Sequence, residues 1–167
     1  MISAKTTHMG LVRTENQDSL GYAKVGENDL FVVCDGVSGL PNGALASKTA
    51  VESIISAFSI TSTAGPEAHL KSAMKKTQNT IMRTSPKPLG TTVVALYLGD
   101  STAYVAWCGD SRIYHFRNNI LHWMSRDHNI LHDILNRGKS KGSMFMNPQA
   151  LNRFFGREFE VKSDYYS

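Results

Sequence analysis

The amino-acid sequence predicts an α+β fold built on an antiparallel sheet. Three observations lead to this prediction: an early apolar run, two consecutive amphipathic helical segments, and then several short β-rich runs separated by turn residues. Strands and helices that come in separate blocks are typical of α+β proteins, whereas regular alternation would indicate a Rossmann-type parallel sheet. A length of 167 residues is enough for one domain with its own core, so we expect a single domain over residues 1–167.

The first elements are predicted by the spacing of their apolar residues. Leu30–Cys34 is continuously apolar, which is typical of a buried strand. A helix is predicted over Gly43–Ser59, and a second helix begins at Pro66, because proline suits the first helical turn. Two prolines within residues 85–88 end this second helix. The supporting helical faces are Val51, Ile54, Ile55 and Phe58 in the first helix and Leu70, Ala73, Met74, Thr77 and Ile81 in the second.

In the second half of the chain the hydrophobic period changes from helical to strand-like. Strands joined by such short segments pair antiparallel. Asn118 and Asn119 are predicted to form a tight hairpin turn, because asparagine tolerates a positive φ. A further short helix is predicted over Asp127–Arg137, with Gly138 just past its end. The predicted strands are Thr91–Leu98, Ala103–Cys108, Ile113–Arg117 and Ile120–Met124.

The composition is typical of a globular protein and disfavours several classes. Hydrophobic residues make up 41% of the chain and charged residues 19%, so disorder is not expected. The net charge is +4, but the basic residues are scattered without interleaved aromatics, so nucleic-acid binding remains only an alternative. No run is long enough to cross a membrane and no signal peptide is recognisable, so we expect a cytoplasmic protein. Cys34 and Cys108 are expected to be buried free thiols.

Asp35 and Gly36 follow directly after the first predicted strand and are the first candidates for a metal site. A strand end holds the carboxylate in place, and the glycine leaves the neighbouring carbonyl oxygen unobstructed. Mg²⁺ and Mn²⁺ prefer such oxygen ligands. An Asp-Gly pair is also a common turn sequence, so by itself it fits a plain turn equally well.

Two further segments carry matching residue types. Arg13 and Asp18 would present a phosphate-binding guanidinium and a carboxylate at one rim if their segment is extended. Asp110 lies between two predicted strands. With Asp35 these residues suggest an acidic metal site for an anionic substrate, and phosphate ester hydrolysis is the natural chemistry there. The alternatives are ordinary loop positions for Arg13 and Asp18, and a hairpin turn in which Arg112 pairs with Asp110.

Other enzyme classes have less support. His128 and His132 have the spacing of zinc ligands on a helix, but Asn129 stands where the zinc protease pattern needs a glutamate. Ser38 lacks the flanking glycine pattern of a serine hydrolase nucleophile, and no phosphate-binding Gly-Lys-Ser/Thr loop is present.

Five segments, in this order along the chain, resemble the metal-dependent serine/threonine protein phosphatases of the type 2C (PPM) family, particularly its bacterial members. Each segment is modest alone, but five in register across most of the chain are hard to obtain by chance. The matching segments are Gly10–Ser19, Val33–Gly39, Leu89–Thr92, Cys108–Tyr114 and Ser125–His128.

The resemblance implies an antiparallel β-sandwich flanked by helices, with a centre of two Mn²⁺ or Mg²⁺ ions between the sheets. It implies that Asp35 bridges the two ions, that the carbonyl oxygen of Gly36 binds one of them, and that Asp18 holds metal-bound water. It assigns Asp110 to a third, weaker metal and Arg13 to the substrate phosphate.

The implied activity is hydrolysis of phosphoserine and phosphothreonine in proteins by a metal-activated water, with no covalent enzyme intermediate. The implied partners are a phosphorylated protein substrate and a partner serine/threonine kinase. Val37 occupies the position where many animal and plant members carry a histidine, so a histidine general acid is not expected there. The resemblance implies a structural or supporting role for Asp127 and His128.

The C-terminal part of the sequence departs from the family pattern. The family takes further metal ligands from a Ser-Asp-Gly strand end and a later Asp-Asn pair, and neither is present. We therefore expect a sandwich that is incomplete at its C-terminus and binds metal weakly. Two explanations remain open: a fragment of a longer phosphatase, or a module without catalysis that binds phosphoproteins or regulates a kinase. The acidic residues after Asp127 are Asp133, Glu158, Glu160 and Asp164, none followed by glycine or asparagine.

Overall fold

The structure, a computed structural model, describes residues 1–59, 64–99, 101–131, 149–156 and 164–167. Its elements are β1 (Asp18–Val25), β2 (Asn28–Asp35), α1 (Gly43–Phe58), α2 (Pro66–Thr84), β3 (Val93–Leu98), β4 (Ala103–Cys108), β5 (Tyr114–Arg117), β6 (Ile120–Met124) and β7 (Asp164–Tyr166). Within these residues the strands form an antiparallel sheet in the order β1-β2-β3-β4-β7 and a separate β5–β6 hairpin. The predicted α+β class with an antiparallel sheet is confirmed.

The two helices cover one face of the five-stranded sheet. Helix α1 packs across β1 and β2, and α2 packs against α1 and over β3 and β4. The approach of α1 is close, because a Cβ atom on Gly21 of β1 would lie 2.5 Å from Cγ1 of Val51. The core between sheet and helices is formed by alternate strand residues and the buried stripes of both helices, among them Leu30, Val32, Cys34, Ala50, Ile54, Met74, Val93 and Ala95.

The β5–β6 hairpin lies on the opposite face of the sheet. Trp123 of β6 packs edge-on against Trp107 of β4, with ring centroids 5.5 Å apart, and the rest of this smaller cluster comes from β3, β4 and Ile113. The hairpin turn is the predicted one, with φ of 51° at Asn118 and 62° at Asn119. The described residues therefore place a small second sheet over β3 and β4.

The two cysteines are free and buried, as predicted. Burial raises the pKa of both Cys34 and Cys108 well above the usual thiol range, so neither is a reactive thiolate at neutral pH. None of the described helices combines the length and apolar character that crossing a membrane requires.

Two strands were not predicted from the sequence. In β1 the residues that face α1 are small, such as Ser19 and Gly21, so the strand lacks an apolar alternation. The strand β7 is only three residues long and contains Asp164.

The helix predicted over Asp127–Arg137 is wrong at its start. Residues 125–128 have neither helical nor strand structure. Asp127 accepts a hydrogen bond from Arg112, and Asn129 forms a β-bridge with Leu151. Helical conformation begins at Ile130, and residues 132–137 lie outside the described part of the chain.

Candidate metal centre

Asp18 and Asp35 lie side by side at the end of the sheet. Asp18 begins β1, Asp35 ends β2, and the two are register partners. Partners in an antiparallel pair point to the same face of the sheet. This face is opposite α1, because the neighbouring Ser19 points toward the helix and its hydroxyl lies 3.0 Å from that of Ser47. The two sequence-predicted carboxylates therefore come together on the face that the hairpin partly covers.

The electrostatics of Asp35 reflect this arrangement. Partial burial and the nearby charge of Asp18, to which it also hydrogen-bonds, raise the pKa of Asp35 to about 6. Asp110 raises it further, while the positive charge of Arg13 lowers it. Two neighbouring carboxylates repel each other when both are ionised, so the pair favours either a shared proton or a cation between them. The pair therefore has the character of a cation site.

Two threonines directly before β3 fix the backbone of Asp35. The amide of Asp35 donates to Oγ1 of Thr92 at 3.0 Å, and its carbonyl accepts from the Thr92 amide at 2.8 Å. Oγ1 of Thr91 donates to the same carbonyl at 3.0 Å. The Asp35 amide donates to the Thr92 hydroxyl and not to a backbone carbonyl, so the regular pairing of β3 begins at Val93 and not at Thr91 as predicted.

Gly36 fits its position because no side chain could stand there. A Cβ atom would lie 2.5 Å from both the carbonyl carbon and the oxygen of Gly43 at the start of α1. The Gly36 amide donates to the carbonyl of Gln17 at 3.0 Å, which ties the strand end to the residue before Asp18. The glycine therefore lets α1 begin directly against the carboxylate pair.

Arg13 lies in the exposed segment that precedes β1. Its Nη2 donates to Oγ of Ser38 at 2.6 Å, across the loop that follows Asp35. The structure thus brings Arg13 within electrostatic reach of Asp35, as the sequence-based grouping requires. The hydrogen bond between Arg13 and Ser38 was not predicted. The one sequence feature that could have indicated it is that Ser38 lies in the loop 36–39, directly after Asp35.

Asp110 and Arg112 occupy the loop between β4 and β5. Partial burial raises the pKa of Asp110, and the charge of Asp110 acts on Asp35. Arg112 donates to both carboxylate oxygens of Asp127, at 2.7 and 2.6 Å. The alternative in which Arg112 pairs with Asp110 is therefore wrong as to its hydrogen-bond partner.

Of the three predicted carboxylate ligands, Asp18 and Asp35 form a pair, and Asp110 lies in a separate loop. Among the described residues, no three His, Cys, Asp or Glu side chains converge as ligands of one ion. Asp18 and Asp35 could together supply oxygen ligands to one hard divalent cation, whereas two cations would need more oxygen ligands than this pair supplies. The zinc alternative rested in part on His132, which lies outside the described residues.

Comparison with known proteins gives a consistent result. Residues 4–156 match the family model described as Protein phosphatase 2C. The serine/threonine phosphatase stp of Listeria monocytogenes is 28% identical to this chain, over 95% of this chain and 68% of its own length.

Solved structures share the fold. Stp1 from Staphylococcus aureus superposes with a TM-score of 0.83 at 23% identity, covering 96% of this chain and 68% of that one. The catalytic domain of the phosphatase PstP, solved in complex with two manganese ions, gives a TM-score of 0.71 at 21% identity over 94% of this chain and 68% of its own. At these identities the likeness is one of fold.

Proposed function

The chain belongs to the protein phosphatase 2C family, and on this premise we propose that it hydrolyses phosphoserine and phosphothreonine in proteins with Mn²⁺ or Mg²⁺. The observation that carries the proposal is the Asp18–Asp35 pair, in which partial burial and the neighbouring carboxylate raise the pKa of Asp35 to about 6. The name of the Listeria relative and the two manganese ions in the PstP structure support the same chemistry.

Each site residue has a separate task in this proposal. Asp18, Asp35 and the carbonyl oxygen of Gly36 bind metal at the sheet end, and Asp110 binds at the rim. When bound, the metal supplies Lewis-acid activation of water and offsets negative charge on the phosphate. Arg13 orients the phosphate, because a guanidinium donates two parallel N–H groups to phosphate oxygens.

Arg13 is already held close to where the proposal needs it. Its bond to Ser38 keeps the guanidinium beside the loop that follows Asp35. A substrate phosphate would replace or share this hydroxyl partner, exchanging a neutral acceptor for a charged one that binds more strongly.

We also propose that residues 1–167 act as one domain and that the substrate is a phosphorylated protein, including a partner serine/threonine kinase. The single-domain proposal is supported by one continuous core that includes residues as distant as Leu30 and Phe155.

A second candidate function is a phosphoprotein-binding module that does not turn over its ligand. The observation that favours it is the lack of a convergent three-ligand cluster among the described residues. Such a module would keep Arg13 for the phosphate but would hold metal too loosely for catalysis.

The decisive experiment measures hydrolysis of a phosphothreonine peptide and of p-nitrophenyl phosphate with Mn²⁺ and then with EDTA. The test variant is Asp35→Asn, and the matched control is Asp29→Asn, which changes a carboxylate in the same strand that contacts Tyr22 and Lys24 instead. We expect turnover that needs Mn²⁺, survives Asp29→Asn and disappears in Asp35→Asn. Absence of turnover by folded, monodisperse wild type, with retained binding of the phosphopeptide, would replace the proposal by the second candidate.

A further inference from the structure

His128 is a buried histidine that holds the turn carrying Asp110. Only 4% of its surface is exposed. Its Nδ1 accepts a hydrogen bond from the Gly109 amide at 3.1 Å, and its own amide donates to the Gly109 carbonyl at 2.9 Å. Both polar groups of the Gly109 backbone are thus bound by one residue, directly before the Asp110 carboxylate.

The opposite side of the same turn contacts Thr92, which binds the end of β2. Gly109 has φ of +114°, and a Cβ atom there would lie 2.6 Å from Cγ2 of Thr92. The Thr92 hydroxyl lies 2.6 Å from that of Ser111 and also accepts the Asp35 amide. The turn is therefore fixed between His128 and the threonine that positions Asp35.

The second ring nitrogen of His128 connects this turn to the C-terminal strand. A backbone N–H can only donate, so Nδ1 is the acceptor and a neutral ring carries its hydrogen on Nε2. Nε2 lies 3.2 Å from Oδ2 of Asp164 in β7, and Arg153 donates to the other oxygen of Asp164 at 3.2 Å. Trp107 stacks on the imidazole ring with centroids 6.1 Å apart. The ring is thus held in one orientation.

We propose that His128 is a positioning residue for the metal site. Its Nδ1 fixes the Gly109 amide and thereby aims the Asp110 carboxylate, while its Nε2 anchors this arrangement to β7 through Asp164. The inference rests on the proposed function, because it takes the metal-binding role of Asp110 from there.

Two substitutions separate the two ring nitrogens. In His128→Asn the side-chain oxygen can occupy the place of Nδ1 and still accept from Gly109. In His128→Gln the amide reaches the place of Nε2 and can contact Asp164, but the acceptor for Gly109 is lost. If His128 only fills space, both variants should have similar effects. The positioning role instead predicts a smaller effect for His128→Asn, which loses only the contact with Asp164, than for His128→Gln, which loses the acceptor for Gly109.

The first readout needs no turnover. Amide hydrogen exchange at Gly109 and Mn²⁺-induced line broadening at Asp110 are followed by NMR in wild type and in both variants. In His128→Gln we expect faster exchange of the Gly109 amide. We also expect the Mn²⁺ concentration needed to broaden the Asp110 signal to rise about tenfold, a size typical when the partner of a metal ligand is lost. His128→Asn should show smaller changes in the same direction, because it keeps the acceptor for Gly109 and loses only the contact with Asp164.

The second readout is catalytic. Turnover of His128→Gln should recover at high Mn²⁺, because a misaligned ligand weakens metal binding without removing the other ligands. If both histidine variants fail to fold, Asp164→Ala replaces them, because it removes the acceptor for Nε2, and it should shift the Mn²⁺ requirement in the same direction. Wild-type exchange and Mn²⁺ response in His128→Gln, or in Asp164→Ala where that variant replaces it, would overturn the inference. Lack of turnover in wild type with an intact Asp110 response would count against the proposed function instead.

Discussion

The carboxyl groups of Asp18, at the start of β1, and Asp35, at the end of β2, are cross-strand partners, and the charge of Asp18 raises the pKa of Asp35. This relationship joins the first residue of one strand to the last residue of the next. It gives a pair of oxygen ligands on rigid elements, which is the arrangement that a metal site requires.

Removing the charge of Asp18 should make Asp35 a stronger acid. The pKa of Asp35 is raised to about 6 by partial burial and by Asp18, so Asp18→Asn removes the second cause and leaves the first. We expect the Asp35 carboxyl carbon to titrate at a lower pH in an NMR titration without metal. An unchanged titration in the Asp18→Asn variant would show that the two carboxylates do not interact.

Stability without metal should depend on pH with a defined sign. The pKa of Asp35 is raised to about 6 in the folded protein, so the folded state binds more protons than the unfolded state between roughly pH 4 and that value. Its contribution is present below that window and is lost as the pH rises through it. In EDTA, we expect the Tm of wild type to fall relative to Asp35→Asn across this window.

The control for this measurement has the opposite sign. A hydrogen bond from Tyr22 lowers the pKa of Asp29, so the stability from this residue is lost as the pH falls. The Tm of wild type relative to Asp29→Asn should therefore rise with pH. Equal slopes for the two comparisons would contradict the assignment of the effect to Asp35.

Gly36→Ala should destabilise the protein strongly. Its Cβ atom would lie 2.5 Å from backbone atoms of Gly43, which cannot move without shifting the start of α1. We expect a loss of about 1–3 kcal/mol in the free energy of unfolding, the usual size for overpacking, measured by urea denaturation. Gly65→Ala is the matched control, because a Cβ atom there meets open space, and it should cost less than about 1 kcal/mol.

Arg13→Lys should raise the KM for a phosphothreonine peptide about tenfold, since lysine keeps the charge but lacks the two-pronged donor geometry. The fold should be unaffected, because Arg13 is exposed and its side chain donates to the hydroxyl of Ser38, which is also exposed. Arg83→Lys, at the exposed end of α2, is the control and should leave KM unchanged. Equal KM values for wild type and Arg13→Lys would remove Arg13 from the phosphate site.

Local patterns in the sequence predicted much of this molecule. The strand before Asp35 and the helix after Gly43 are visible in the sequence because their apolar residues repeat at the period of the element. The strand β1 is not visible, since the approach of α1 requires small residues such as Gly21. Its pairing, which brings Asp18 to Asp35, depends on contacts between segments.

Roles that depend on distant partners could not be predicted. Arg112 binds Asp127, fifteen residues away, and His128 binds Gly109 and Asp164. The sequence around these residues does not indicate their partners, because tertiary packing determines which residues come into contact.

The most direct test of the account is Mn²⁺ binding to metal-free protein, measured by the EPR signal of the free ion. We expect weak, saturable binding by wild type and by Asp29→Asn, and an affinity lower by at least about tenfold in Asp35→Asn, which loses a charged ligand. Binding by Asp35→Asn equal to that of wild type would contradict the claim that the Asp18–Asp35 pair is the metal centre.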